Sequence, residues 1–224
     1  MSIGYGTAAL GRSLSRRDRV RLVEAAYDAG VRYFDTAPLY GAGAAEDAVG
    51  RALRRRDDVT LATKVGIVPP GLLGVALRRP AAGGRFGPAQ MRAQLEGSLR
   101  RLRRDAVDVL LLHEIDAGAA NTALDVLDDL RREGKIVRAG IATDGAQTVA
   151  ILAARVPGVV QLPAREAVDV AGATLVLHSA LAGRVGVTPA RDLLRGVADA
   201  HPSAVVLVGS RREEHIREAA SALG

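Results

Sequence analysis

The chain has 224 residues, of which 48% are hydrophobic and none is cysteine, and its formal net charge is +6. This length can bury one sizeable core, so we expect a single domain over residues 1–224, and the lack of cysteine excludes disulfides, thiolate metal sites and cysteine nucleophiles. Because no apolar run approaches the roughly 20 residues of a membrane span and aromatics make up only 3% of the chain, we expect a cytoplasmic protein that binds neither membrane nor nucleic acid.

Strand-like and helix-like segments alternate from the start of the chain. A short strand within residues 3–9 ends in a glycine-permitted turn and precedes a helix that Ser15 caps and Gly30 ends, since apolar residues between them recur at helical spacing. Residues 65–88 are rich in Gly, Pro and Arg and read as a long loop, which in a compact domain is usually functional or disordered. Before this loop, the pattern predicts a strand at 31–34, a helix at 43–55 and a strand at 59–63.

The alternation resumes after the loop with a helix at 89–103, whose apolar residues share one face. The arginines of the run 99–104 are expected to form a solvated helix face. The crossover at 163–172 is short, so it is expected to hold only a helical turn or an extended segment. The remaining predicted strands are 106–112, 137–142, 159–162, 173–177 and 205–208. The remaining predicted helices are 123–132, 146–154, 189–200 with Thr188 as its cap, and 212–222.

Eight strands alternating with helices predict an α/β fold, a compact (β/α)8 TIM barrel with shortened helices in its second half. Continuous apolar strands such as 106–112 favour this fold, because both faces of each strand are covered. The alternative is an open doubly wound sheet, which requires a glycine-rich phosphate loop and a helix directly after strand one. Residues 4–9 do contain G-x-G-x-x-A, but no helix starts there, so the barrel is favoured.

Three predicted strands end at a titratable residue, namely Asp35, Lys64 and His113. Tyr40 follows Asp35 after a break in the apolar pattern. Lys64 stands out further because it is one of only two lysines among 31 basic residues. Since the carboxyl ends of all barrel strands lie at one face, these four side chains are expected to meet in one pocket.

The runs around these residues resemble the aldo-keto reductase superfamily, closest to its sugar-dehydrogenase-like branch. The matching runs are Y-F-D-T-A-P-L-Y-G, A-E-D-A-V-G-R-A-L, L-A-T-K-V-G and V-D-V-L-L-L-H. The resemblance implies that Tyr40 is a proton donor, that Lys64 and Asp35 are its electrostatic partners and that His113 orients a substrate carbonyl. It also implies a nicotinamide cofactor that supplies the hydride.

Carbonyl reduction needs such an arrangement, because negative charge develops on the oxygen as hydride reaches the carbon. A free phenol, with a pKa of about 10, is a poor acid near neutral pH. A close ammonium group is expected to lower the pKa of Tyr40, while Asp35 holds Lys64 charged and in place.

A second group of residues suits a phosphate. Gly209, Ser210, Arg211 and Arg212 lead into the last predicted helix, and backbone amides at a helix start together with two guanidinium groups favour an anion. The resemblance assigns this segment to the adenosine phosphate of a dinucleotide, and the two arginines favour NADP(H) over NAD(H). The other cofactor-binding residues that the resemblance implies are Gln161, for the nicotinamide carboxamide, and Thr143, His178, Ser179 and Glu218.

The residues that the resemblance assigns to cofactor binding also depart from the family pattern. Thr143 follows Ala142 where the family often has Ser-Asn, and His178 replaces the usual stacking tyrosine. His215 and Ala219 occupy the positions of a phosphate-binding arginine and an adenine-contacting asparagine.

These observations leave three functions open. The first is an NADP(H)-dependent oxidoreductase that interconverts an aldehyde or ketone and the corresponding alcohol. The second is a lyase, isomerase or cyclase that uses Tyr40, Lys64 and His113 as acid and base. The third is a binding or regulatory subunit without turnover. The sequence does not indicate the substrate or the oligomeric state.

Overall fold

Eight parallel strands form a closed barrel, in which each strand pairs with the next along the chain and the last pairs with the first. The computed structural model describes residues 2–11, 13–67, 86–115, 120–145, 148–149, 158–181 and 188–223. The predicted (β/α)8 barrel is confirmed, and the open sheet is excluded. The strands are β1 Ser2–Gly6, β2 Tyr33–Asp35, β3 Thr60–Val65, β4 Val107–His113, β5 Ile136–Ala142, β6 Gly158–Pro163, β7 Thr174–His178 and β8 Val205–Val208.

The α-helices of the described residues pack around this barrel. They are α1 Arg16–Asp28, α2 Ala44–Ala52, α3 Pro88–Leu102, α4 Ala120–Arg132, α5 Ala190–Ala200 and α6 Glu213–Leu223. The predicted start of α1 is confirmed, because the hydroxyl of Ser15 accepts a hydrogen bond from the backbone N–H of Asp18 at 3.1 Å. Its predicted end is also confirmed, since Gly30 adopts a φ of 92°. None of the helices described is long and apolar enough to cross a bilayer.

Two layers of apolar side chains cover the strands. The larger cluster fills the space between the strands and the helices, as expected for strands that are buried on both faces. A smaller cluster fills the barrel interior and consists of Tyr33, Ala62, Val109, Leu111, Ala142, Val159, Val176, Val205 and Leu207. This packing closes the barrel beneath the polar residues at the carboxyl ends of the strands.

Several local predictions need revision. The turn after β1 is a 3-10 helix, Thr7–Ala9, and the φ of Gly6 is −86°, so no glycine-specific conformation is used. Thr188 does not cap α5, because Pro189 is the N-cap and makes no side-chain capping bond. The short sixth crossover does hold a helical turn, Ala164–Glu166, as expected. The helix predicted at 146–154 and the loop predicted at 65–88 lie largely outside the described residues.

Three of the four arginines at and just after the end of α3 bind the neighbouring helix α2 and the residues that follow it, whereas Arg100 is exposed as expected. Arg101 donates from Nε to the carboxylate of Glu46 at 2.7 Å, and Arg103 donates to Asp47 at 2.8 Å. The next arginine, Arg104, donates to backbone carbonyls at the end of α2 and just beyond it. The prediction was wrong for these three arginines because helical spacing identifies the apolar face of a helix but not which polar side chains meet a neighbouring helix.

Candidate active site

A cavity of about 650 Å³ lies at the carboxyl ends of the barrel strands. All four predicted catalytic side chains line it, namely Asp35, Tyr40, Lys64 and His113. Five of the predicted cofactor-binding residues line it as well: Thr143, Gln161, His178, Ser179 and Gly209. The structure therefore brings most of the sequence-predicted site together in one place, which we call the main cavity.

Asp35 and Lys64 form a buried ion pair at the base of the main cavity. Lys64 Nζ lies 2.5 Å from Asp35 Oδ1 and also donates to the backbone carbonyl of Thr36 at 3.1 Å. Both side chains are almost inaccessible, with 2% and 3% of their surface exposed. Burial is the largest single effect and lowers the pKa of Lys64, but the interactions with Asp35 and Tyr40 together raise it by more, so the net shift is upward. Lys64 is therefore positively charged near neutral pH, as expected from the sequence.

Tyr40 reaches this ion pair from the loop that follows β2. Its ring centre lies 5.0 Å from Lys64 Nζ, and the ring of His113 meets it edge-on with the centroids 6.4 Å apart. Residues 41–43 following Tyr40 all have a positive φ, two of them being glycines, and they turn the chain sharply into α2. The phenol, the ammonium group and the imidazole thus face the same space.

The acidity of Tyr40 differs from the expectation. Burial raises the pKa of the phenol, Lys64 opposes this rise and Asp35 adds to it, and the net shift is upward. Lys64 therefore lowers the pKa of Tyr40, as expected, but the desolvation of the phenolate outweighs the attraction of the ammonium group, so the phenol is a weaker acid than a free one. Tyr40 remains a neutral phenol at neutral pH.

Gln161 contacts the ion pair directly. Its side-chain Nε2 donates to Asp35 Oδ1 at 3.0 Å, the same oxygen that accepts from Lys64. Its Oε1 is buried and has no hydrogen-bond partner among the described residues. A buried acceptor without a donor is costly, so this amide suits a ligand that brings an N–H group into the cavity.

His178 occupies the opposite side of the main cavity. Its Nδ1 lies 2.9 Å from the hydroxyl of Ser179, which adopts a φ of 57°, and its Nε2 lies 3.6 Å from a carboxylate oxygen of Asp144. Burial lowers the pKa of His178, although the charge of Asp144 opposes this shift. Asp144 was missed in the sequence, where nothing separates it from other acidic residues in turns.

A second cavity of about 410 Å³ adjoins the first, and both are lined by Leu181, Val208 and Gly209. Ser210 and Glu218 line this second cavity, as predicted, together with His215 and Ala219. Two adjoining chambers, one containing an amide with a free acceptor and one at a helix start, fit the two ends of a dinucleotide.

The two arginines of this segment do not line either cavity. Arg211 donates from Nε to the backbone carbonyl of Ala9 at 2.8 Å, and Arg212 pairs with Glu214 at 2.8 Å. The sequence suggested that both guanidinium groups would face a phosphate. In the structure they bind neighbouring carbonyl and carboxylate oxygens instead.

The comparison with protein families agrees with this geometry. Residues 2–164 match the model of the Aldo/keto reductase family, which is 163 of the 224 residues. The chain belongs to the aldo/keto reductase family. The resemblance seen in the four sequence motifs is thereby confirmed, and the matched region contains the aspartate, tyrosine, lysine and histidine of the main cavity as well as Gln161.

Curated relatives in this family are sugar dehydrogenases and reductases. D-threo-aldose 1-dehydrogenase from Pseudomonas sp is 34% identical over 167 residues, which cover 63% of this chain and 50% of that protein. L-galactose dehydrogenase from Arabidopsis thaliana is 30% identical over 151 residues, which cover 62% of this chain and 44% of that protein. The matches thus span about half the length of these curated relatives.

Solved structures of aldo/keto reductases share the fold of this chain. Glycerol dehydrogenase from Gluconobacter oxydans superposes with a TM-score of 0.79 at 23% identity, covering 99% of this chain and 86% of that one. An aldo/keto reductase from Klebsiella pneumoniae, solved with NADP and acetate, superposes with a TM-score of 0.74 at 24% identity, covering 99% and 85%. At these identities the similarity shows the barrel fold alone.

Among the residues that the structure describes, no group of three or more His, Asp or Glu side chains is arranged to hold a metal ion. The titratable groups of the main cavity are instead one ammonium, one phenol, two imidazoles and the carboxylates of Asp35, Glu114 and Asp144. This set suits proton transfer to or from a ligand in the cavity of this aldo/keto reductase.

Proposed function

We propose that this chain is an NADP(H)-dependent oxidoreductase that interconverts an aldehyde or ketone and the corresponding alcohol. The observation that carries the proposal is the group formed by Tyr40, Lys64, Asp35 and His113, which face one cavity around a buried ion pair. When bound, the nicotinamide supplies or accepts the hydride. Gln161, whose buried Oε1 has no partner among the residues that the structure describes, is the residue proposed to hold the carboxamide of the nicotinamide.

The side chains of the main cavity then perform the proton chemistry. His113 orients the carbonyl oxygen towards Tyr40, whose neutral phenol donates a proton to that oxygen as the carbon gains hydride. The phenolate that remains lies near Lys64 Nζ, and Asp35 keeps this ammonium group in position. In the reverse direction, the phenolate accepts the proton of the alcohol.

The proposal extends to the cofactor-binding residues and to the class of substrate. Ser210 and Glu218, at the second cavity, together with Thr143, His178 and Ser179, are proposed to contact the cofactor. Arg211 and Arg212 would have to leave their present partners to bind a 2′-phosphate, so the preference for NADP(H) over NAD(H) rests on their charge. The names of the relatives make aldoses the first substrates to test. A cytoplasmic location remains part of this proposal.

Titration of the purified protein with NADPH and NADH, followed by cofactor fluorescence, tests the cofactor. Turnover is then compared in the wild type, in Tyr40→Phe and in the control Tyr27→Phe, which makes the same change outside the cavity. We expect Tyr40→Phe to bind NADPH normally but to lose at least about 100-fold in kcat, because its proton donor is missing. Full activity of Tyr40→Phe would contradict the assignment.

A second candidate is a lyase, isomerase or cyclase that uses the same acid and base groups. It is favoured by the engagement of Arg211 and Arg212 with Ala9 and Glu214, which leaves the second cavity without either guanidinium. This candidate predicts no change in fluorescence when NADPH or NADH is mixed with the protein. Saturable binding of either cofactor would exclude it.

A further inference from the structure

Glu46 is a fully buried carboxylate outside the main cavity. It lies on α2, and 0% of its surface is exposed. Its Oε1 accepts a hydrogen bond from the hydroxyl of Thr63 on β3 at 2.8 Å, and its Oε2 accepts from Arg101 Nε on α3 at 2.7 Å. One side chain therefore joins a strand and two helices.

Stability alone is a poor explanation for this arrangement. The carboxylate of Glu46 is fully buried, whereas 22% of the Arg101 side chain is exposed, and removing even one ion from water costs several kcal/mol. Apolar replacements of buried ion pairs are often neutral or stabilising. What the pair provides is geometry, because both oxygens of Glu46 need a donor in a defined direction. The same place shows close packing of the helices, since a Cβ added to Gly50 would lie 2.3 Å from the backbone oxygen of Arg101.

Thr63, which binds Glu46, and α2, which carries Glu46, are each linked to a proposed catalytic residue. Thr63 directly precedes Lys64 on β3, so its hydroxyl faces α2 while the lysine faces the cavity. The first turn of α2 holds the loop before it, because the backbone N–H of Ala45 donates to the carbonyl of Tyr40 at 3.3 Å. Glu46 therefore connects the segment that carries Tyr40 to the strand that carries Lys64.

We propose that Glu46 is a positioning residue, which through Thr63 fixes Tyr40 relative to Lys64. The proposal rests on the proposed function, in which the phenol of Tyr40 donates a proton beside the ammonium group. Without the bond from Glu46 to Thr63, α2 and its preceding loop lose their connection to β3 at the level of Lys64. A displacement of about 1 Å between reacting groups is enough to reduce a rate on the order of 100-fold.

Three variants separate this role from a general loss of stability. Thr63→Val removes the hydroxyl at nearly constant volume, whereas Thr63→Ser retains it. Glu46→Gln leaves only one acceptor oxygen for two donors. The matched control is Asp47→Asn, which removes the neighbouring charge on α2 and weakens its bonds to Arg51 and Arg103, but does not involve β3.

The first measurement is the carbon NMR signal of tyrosine Cζ in protein labelled at that atom, recorded at neutral pH. The chain has four tyrosines and no tryptophan, and Tyr40→Phe identifies the signal of Tyr40. We expect this signal to shift in Thr63→Val and Glu46→Gln and to remain in place in Thr63→Ser and Asp47→Asn. The second measurement is carbonyl reduction, in which kcat is expected to fall at least about 10-fold while KM changes less than about 2-fold.

An unchanged Tyr40 signal and kcat in Thr63→Val and Glu46→Gln, with only a lower melting temperature, would show a purely structural role for Glu46. An equal shift in Asp47→Asn would assign the effect to helix packing in general, which also overturns the proposal. If the wild type reduces no carbonyl compound, the proposed function fails, and the NMR signal alone decides the positioning role.

Discussion

The ion pair between Asp35 and Lys64 should be strongly coupled, and a double-mutant cycle measures this coupling. Asp35→Asn keeps the shape and one acceptor oxygen but removes the charge, and Lys64→Met removes the ammonium group at similar volume. Each single change leaves one buried charge without its partner. Because both side chains are at least 97% buried and Nζ and Oδ1 are 2.5 Å apart, we expect each to cost about 3–5 kcal/mol in the free energy of unfolding.

The double variant should be far less damaging than the sum of the two. With both charges removed, neither ion of this pair is left buried without its partner, and replacing a whole buried pair by neutral groups is often close to neutral, so we expect a total cost below roughly 2 kcal/mol. The coupling energy would then be several kcal/mol. For a chain of this length, each kcal/mol of lost stability lowers the melting temperature by about 2–4 °C, so each single change should lower it by roughly 6–20 °C.

Chemical denaturation at pH 7 of the wild type, the two single variants and the double variant gives the four free energies of unfolding that the cycle needs, and melting temperatures provide a check. Costs that add within about 0.5 kcal/mol would refute the reasoning, because independent sites behave in that way. An Asp35→Asn variant with the same free energy of unfolding as the wild type would also refute it. Carbonyl reduction should be lost in the double variant despite its stability, which would show that the pair serves the reaction rather than the fold.

Two further predictions concern stability. Gly50→Ala should lower the free energy of unfolding by roughly 1–3 kcal/mol, because the added Cβ would lie 2.3 Å from the backbone oxygen of Arg101. The control Gly196→Ala lies in α5 with open space around it and should raise the free energy of unfolding by about 0.5–1 kcal/mol. Equal effects of the two changes in denaturant titrations would contradict the packing argument. Burial raises the pKa of Tyr33 above its ordinary value of 10, so the phenol loses its proton at a lower pH in the unfolded chain than in the folded one. The free energy of unfolding is therefore unaffected by the titration of Tyr33 below pH 10 and falls as the pH rises from 10 towards the pKa of the folded state. In Tyr33→Phe the decline above pH 10 should be shallower by up to about 1.4 kcal/mol per pH unit, and an unchanged slope would refute the assignment.

The barrel and its four central side chains were predictable because they depend on local patterns. Strands buried on both faces are continuously apolar, so a charged residue at the end of one stands out, as Asp35, Lys64 and His113 do. In a parallel barrel all such ends lie at one face, and no further information is needed to bring them together. Tyr40 was expected in the same pocket because it follows Asp35 by only five residues.

The contacts that were missed join residues far apart in the sequence. Arg101 and Glu46 are 55 residues apart, and Gln161 and Asp35 are 126 apart. Helical spacing places Arg101 on a polar face, but whether that face meets water or another helix depends on the packing of α2 against α3. The balance of burial and charge at Tyr40 also requires coordinates, because both effects act on the same phenol with opposite sign.

The raised pKa of Tyr40 bears on the direction of the proposed reaction. A phenol that stays protonated at neutral pH is ready to donate its proton to a carbonyl oxygen, whereas oxidation of an alcohol needs the phenolate, which burial disfavours. Lys64 opposes this effect of burial and stabilises the phenolate once the proton has left. The ammonium group is thus placed to stabilise the negative charge as it develops on Tyr40 during proton transfer, and an interaction that is stronger in the transition state than in the ground state accelerates a reaction.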